Sequence, residues 1–258
     1  MENERRERPI RIELYNDHFQ NYKRYQIPKA QLVIADIPYN VGKNAYGSNP
    51  TWYVGGDNSN GESEKANSTF FDTDGNFKIP EYMHFCNRML IKEPKEAGKA
   101  PAMIVFCAFD QMHMLAEEGK KYGFQHSYPL IFIKNYSAQV LKANMKIVGA
   151  TEYAMVLYRD KLPKFNNDGR MVFNWMKWER DTATPKIHPT QKPVPLLMDL
   201  IRIFTDPGDV VIDPVAGSGS TLRAAAMTGR SAYGFEIKKD FYKQAKEIML
   251  TDIQQSLF

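Results

Sequence analysis

The chain has 258 residues, 43% of them hydrophobic, which suits one large α/β domain or two small ones with a buried core. No apolar run reaches the roughly 18 residues a membrane helix needs, and the mixed-charge start from Met1 to Arg8 excludes a secretory signal. A net charge of +4 is compatible with a polyanionic partner without requiring one.

Cys86 and Cys107 stand apart in apolar surroundings and read as small buried hydrophobes, not as a disulfide framework. The five histidines are dispersed and give no metal signature. Together these features predict a cytoplasmic protein without a metal.

Taken in order, residues 1–9 form a charged arm. Ile10, Ile12 and Leu14 then alternate with Arg11 and Glu13, the pattern of a half-buried strand that ends near Asp17. After an amphipathic piece around Phe19 to Tyr25 comes Leu32-Val33-Ile34-Ala35, apolar throughout and therefore a strand covered on both faces. It runs into Asp36-Ile37-Pro38-Tyr39. At the carboxyl end of a strand, where open α/β sheets put their ligands, this tetrapeptide offers two acceptors and a flat ring. Pro38 restricts Ile37 to an extended conformation, which fixes the direction of the Ile37 carbonyl. Asp36 and that carbonyl suit the two protons of an exocyclic amine on a planar base stacked against Tyr39. A plain strand and proline turn with a buried tyrosine accounts for the same residues without a ligand.

Residues 44–77 are rich in glycine and asparagine, with Trp52, Tyr53, Phe70 and Phe71 interleaved. So long a loop is either a lid or a surface excursion with its own apolar cluster. Regular structure resumes at Pro80 with a helical stripe from Tyr82 to Leu90, a strand over 102–109, a helix over 111–122, and strands over 128–133 and 151–158. From Lys134 to Arg180 nine basic residues face four acids and are mixed with Tyr136, Phe165, Phe173, Trp175 and Trp178, a composition that fits a nucleic-acid surface or a solvated charged face. Ile187 to Pro193 leads into an amphipathic helix. Lys192 at its start places a cation beside free backbone N–H groups, where a carboxylate would bind. His188 reads as a structural turn residue.

The strand Val210-Val211-Ile212 stops at Asp213, enters a loop with Gly217 and Gly219, and continues as a helix to Met227. A second strand, Ser231 to Phe235, ends in Glu236, about 20 residues past the loop, where an acid meets ribose hydroxyls. Leu222 stands in place of a third glycine, which weakens a dinucleotide reading. Strands alternating with helices predict a mostly parallel twisted sheet with an antiparallel edge.

Asp36-Ile37-Pro38-Tyr39, His188-Pro189-Thr190-Gln191-Lys192-Pro193 and Asp213-Pro214-Val215-Ala216-Gly217-Ser218-Gly219 together resemble the beta group of amino-group DNA methyltransferases (N6-adenine or N4-cytosine), over about Ile12 to Met249. The resemblance implies an α/β, Rossmann-like class I methyltransferase fold with circularly permuted motif order. It implies one catalytic domain over 10–258, with candidate lid or target-recognition insertions at 44–77 and 136–186. It further implies S-adenosylmethionine as cofactor and double-stranded DNA with a flipped base as substrate. Asp36, Ile37, Pro38 and Tyr39 would form the target-base site. Asp17, Asp36, Thr190, Lys192, Asp213, Pro214, Ala216, Gly217, Ser218, Gly219 and Glu236 would line the cofactor. The family usually has Pro where Ile37 stands and Phe where Val215 stands. Asp at position 36 is typical of adenine enzymes and Ser of cytosine enzymes. N4-cytosine methylation is therefore the alternative, followed by methylation of RNA or protein glutamine. A homodimer and a partner restriction nuclease are both compatible with the family, and no motif of this chain encodes either.

Overall fold

The computed structural model describes residues 9–38, 77–136, 139–142, 147–188, 190–251 and 253. Strand β1 (Ile12–Tyr15) leads through a 3-10 helix (Phe19–Arg24) to β2 (Leu32–Asp36). Helix α1 (Ile79–Met89), β3 (Ala102–Cys107), α2 (Gln111–Lys121) and β4 (His126–Lys134) follow. A small separate pair, β5 (Gln139–Lys142) and β6 (Ile147–Gly149), precedes β7 (Thr151–Tyr158) and β8 (Trp175–Trp178). The chain ends with α3 (Val194–Phe204), β9 (Val210–Asp213), α4 (Ser220–Met227), β10 (Ser231–Phe235) and α5 (Lys239–Gln244), the last running into a π-helical turn, Ala245–Met249.

Eight strands form one sheet in the order β1-β10-β9-β2-β3-β7-β4-β8. All run parallel except β7, which is antiparallel to both β3 and β4. The mostly parallel sheet agrees with the sequence reading, but the antiparallel strand is third from the margin instead of at it. The reason lies in the connections. The α2 crossover brings β4 back parallel to β3, and the chain then returns in the opposite sense between them. Its register with β4 extends from Ile133 opposite Thr151 to His126 opposite Tyr158.

Each central strand is apolar on both sides because helices cover both faces. Leu32 and Ile34 of β2, with Ile104 and Phe106 of β3, pack toward Leu197, Leu200, Ile201 and Phe204 of α3 and toward α4. Val33, Ala35, Met103 and Val105 point the other way, toward Tyr82, Phe85, Cys86 and Met89 of α1 and Leu115 of α2. That period-two division explains why these strands show no polar alternation. Cys86 and Cys107 are buried free thiols in the second layer.

The proposed lid, 44–77, lies outside the described residues except for Phe77, which packs near Phe19 and Tyr82. Within 136–186, β7 and β8 belong to the central sheet. Among the described residues no helix is long and apolar enough to cross a membrane.

Candidate functional site

The parallel strands β1, β10, β9 and β2 are neighbours, so their carboxyl ends line one edge of the sheet. Asp17, Glu236, Asp213 and Asp36 thus follow one another along it. The helix after β9 covers one face and the helix after β2 the other, which makes the β9–β2 boundary the switch point where α/β sheets open a ligand crevice.

On the β9 side the loop is built from its own sequence. Asp213 is buried, and its Oδ1 accepts the Val215 N–H at 3.1 Å in an Asx turn. Burial pushes its carboxyl up to about 7, and the Asp36 and Glu236 charges add to the effect against hydrogen bonds from Thr221 and Val215. Gly217 (φ +50°) and Gly219 (φ +76°) occupy the left-handed region, and Gly219 caps α4. A Cβ on Gly219 would also lie 3.4 Å from that of Ala245. Glu236 Oε2 accepts the Gly217 N–H at 2.9 Å, and Oε1 accepts the Lys238 N–H at 2.7 Å. The loop and the acid that the sequence placed some distance apart are therefore one unit. Burial raises the Glu236 carboxyl above its ordinary range. Within the loop, Pro214, Ala216 and Ser218 are buried.

Asp17 is at the tip of β1 but serves its own loop. It accepts from the His18 N–H (2.7 Å), Asn21 (2.6 Å) and the Tyr25 hydroxyl (2.9 Å), with Arg24 at 3.4 Å. These contacts, led by Asn21, hold its carboxyl below the usual range.

The β2 side is held from a distance. Lys192 Nζ donates to Asp36 Oδ2 at 2.5 Å and lies over the rings of Phe106 (5.3 Å) and Trp178 (5.7 Å). The sequence reading assigns Lys192 to a ligand carboxylate; in the fold its ammonium is paired with Asp36. Ile37 is buried, and its N–H continues the ladder to the Phe106 carbonyl at 3.3 Å. A proline there would have no N–H to give, so isoleucine replaces ring stiffness with a strand bond. The Pro38 carbonyl accepts from Gln111 Nε2 at 3.0 Å. Tyr39 lies outside the described residues.

His188 behaves as the expected turn residue. Its Nδ1 contacts the Thr190 N–H (3.3 Å) and Oγ1 (3.1 Å). Burial, aided by Lys192 and Lys238, lowers its pKa to about 4, so it stays neutral near pH 7.

Part of the basic, aromatic stretch 134–180 is tied into the fold. Lys134 pairs with Glu152, and Lys164 with Asp206 and Asp209. Arg159 is tied to Asn87 and the Ile91 carbonyl, and Lys161 to the Pro94 carbonyl. Trp178 is buried and donates to the Tyr136 hydroxyl. Arg170, Lys177 and Arg180 stay exposed beside Met171, Val172, Phe173 and Trp175, with Phe173 and Trp175 stacked at 5.9 Å, so the stretch divides into an internal part and an outer basic, aromatic part. Composition could not show this because ion pairs to residues far along the chain leave no local signature. Among the described residues no group of His, Cys, Asp or Glu is arranged to hold a metal ion.

The DNA methylase family model for N6 and N4 enzymes matches residues 30–247. The chain is 25% identical to the DNA adenine methyltransferase YhdJ of Escherichia coli K12, over 89% of this chain and 79% of that protein. Among solved structures, the M1.HpyAVI–SAM complex superposes with a TM-score of 0.64 at 21% identity, covering 92% of this chain and 98% of that one. The cytosine-N4-specific PvuII DNA methyltransferase does so with a TM-score of 0.66 at 15% identity, covering 95% and 91%.

Proposed function

From the premise that this chain belongs to the N6/N4 DNA methylase family, we propose that it methylates the N6 amine of an adenine swung out of duplex DNA. As a family member it is an S-adenosylmethionine-dependent DNA methyltransferase. The observation that carries the adenine reading is the strand tip Asp36-Ile37-Pro38, with Asp36 ion-paired to Lys192. The E. coli relative, named as an adenine enzyme, supports it; the cytosine enzyme is alike in fold alone.

The residues present fit the methyl donor. Two left-handed glycines leave the loop's backbone bare, and a Cβ on Gly217 would approach the His188 ring at 4.0 Å. Glu236 beside that loop is an acceptor for ribose hydroxyls, with Ala216 to Gly219 against the methionine portion. Lys192 and Thr190 are the residues we assign to its carboxylate, and Asp17, bonded within its own loop to Asn21 and Tyr25, to its adenine end. When bound, S-adenosylmethionine supplies a sulfonium methyl group open to in-line attack by a nucleophile.

The chain's own residues prepare that nucleophile. An aromatic amine is a weak one because its lone pair is delocalised into the ring. Hydrogen bonds from its two protons to Asp36 and to the Ile37 carbonyl favour a pyramidal nitrogen and localise the pair. The Lys192 ammonium holds Asp36 through Oδ2, and the carboxylate acts as an acceptor before transfer. After transfer it can take the surplus proton. Tyr39 would stack on the base. A base inside a duplex cannot reach this edge, so extrusion costs a few kcal/mol of stacking, and positioning then supplies much of the rate.

The test is transfer from methyl-labelled S-adenosylmethionine to unmodified duplex DNA, followed by nucleoside analysis. Labelled N6-methyladenine is the expected product. Labelled N4-methylcytosine would overturn the adenine assignment and leave the site standing. Cofactor binding with no transfer to any DNA would move the substrate to RNA or protein.

A further inference from the structure

Gln111 is absent from every motif discussed above, yet its side chain is buried beside the target tetrapeptide. It opens α2 immediately beyond the carboxyl end of β3, the strand that pairs with β2. Its Oε1 accepts the Ala108 N–H at 2.9 Å, and its Nε2 donates to the Pro38 carbonyl at 3.0 Å. The amide orientation follows from the partners. A backbone N–H can only donate and a backbone carbonyl can only accept, so the reversed amide would put like groups together at both ends.

With this bond, Ile37-Pro38 is anchored on both sides. The Ile37 N–H is bonded to Phe106 of β3, and the Pro38 carbonyl to the start of α2. The Ile37 carbonyl, the acceptor assigned to the base amine, lies between the two anchors. The peptide bond is planar, so fixing the Pro38 oxygen also fixes the plane in which the chain leaves Pro38 toward Tyr39.

We propose that Gln111 is a positioning residue for methyl transfer: it sets the acceptor geometry of Ile37-Pro38 without touching the base or the cofactor. This rests on reading Asp36 to Pro38 as the target-base site.

The experiment compares wild type, Gln111→Glu and Gln111→Met across pH. Methyl transfer to unmodified duplex DNA of mixed sequence is measured at saturating S-adenosylmethionine, beside cofactor titration and thermal unfolding. Gln111→Glu keeps the acceptor for Ala108 but, when ionised, turns a carboxylate oxygen toward the Pro38 carbonyl. When protonated it has an O–H to donate in place of Nε2. Burial raises the pKa of such a carboxyl, which brings the change toward the working range.

At high pH, turnover of Gln111→Glu should fall about 10- to 100-fold, the scale of a misplacement of about 1 Å, while cofactor affinity stays within about twofold. Its turnover relative to wild type should recover as pH falls. Gln111→Met, which cannot donate at any pH, should be slow throughout. A purely structural role would show as a lower melting temperature and weaker cofactor binding in both variants, with no pH-dependent recovery, and would overturn the inference. So would wild-type turnover in both. If wild type itself moves no label to DNA, the target-site reading fails first, and the role of Gln111 fails with it.

Discussion

The two halves of the site are held together in opposite ways. Around β9 and β10, carboxylates are met mainly by backbone amides of their own or the adjoining loop: Asp213 by Val215, Glu236 by Gly217 and Lys238. Around β2, the tetrapeptide is gripped by side chains from remote elements, Lys192 on Asp36 and Gln111 on Pro38. The first half is a preformed cradle whose shape is written into a short stretch of chain. The second takes shape only once the sheet is complete, and under the proposed function it receives a large base in a defined direction. A rigid cradle suits a cofactor bound in every turnover, whereas remote struts allow a target site to be tuned without rebuilding the loop.

Breaking the target half should have the largest effect. Asp36→Ala should cut methyl transfer by roughly 1000-fold or more, since it removes an acceptor on which the reacting amine depends. Next, Lys192→Met tests whether one cation serves both Asp36 and the cofactor carboxylate. It should lower turnover about 100-fold through a misplaced Asp36 and also weaken cofactor binding about tenfold, as expected for a lost charged contact. An effect on cofactor affinity alone would make the Asp36 contact incidental. On the cradle side, Glu236→Gln should raise the cofactor Kd about tenfold and leave turnover at saturation nearly unchanged.

The smallest effect concerns stability. The folded Asp213 carboxyl keeps its proton up to about pH 7, whereas an unfolded aspartate releases it near pH 3.9. Between those values the folded state binds more protons, so this group's contribution to stability is present at low pH and lost as pH rises. Asparagine has no such proton. The melting temperature of Asp213→Asn should therefore gain on wild type from about pH 4 to about pH 7, read by thermal unfolding across that range. His188 acts in the opposite sense in both proteins, because its depressed pKa withdraws stability as pH falls from about 6.5 toward about 4.

The same contrast explains what could be read before the structure. The glycine turn, the strands on either side of it and the acid at position 236 follow from local periodicity and spacing, and the fold reproduces Ser231–Phe235 and Thr151–Tyr158 with their expected bounds. The tetrapeptide was visible as residues, but its supports were not. Lys192 is 156 positions from Asp36 and Gln111 is 73 from Pro38, and no periodicity reports contacts of that range. The one available signal for Gln111 was a polar residue opening a helix directly after a buried strand, at the edge where ligands bind. The place of β7 within the sheet was hidden for a related reason, since strand pairing depends on which edge is left open when the chain returns. Which basic residues of 134–180 pair internally was not legible, because partners such as Asp206 and Asp209 for Lys164 lie elsewhere in the sequence.

The central claim is that one half of this site holds the cofactor and the other presents the target. Its most direct test is a cofactor titration of Asp36→Ala beside the methyl-transfer assay on duplex DNA. The account predicts transfer reduced roughly 1000-fold, with S-adenosylmethionine affinity within about twofold of wild type. Cofactor affinity falling in step with transfer, or transfer surviving the substitution, would contradict it.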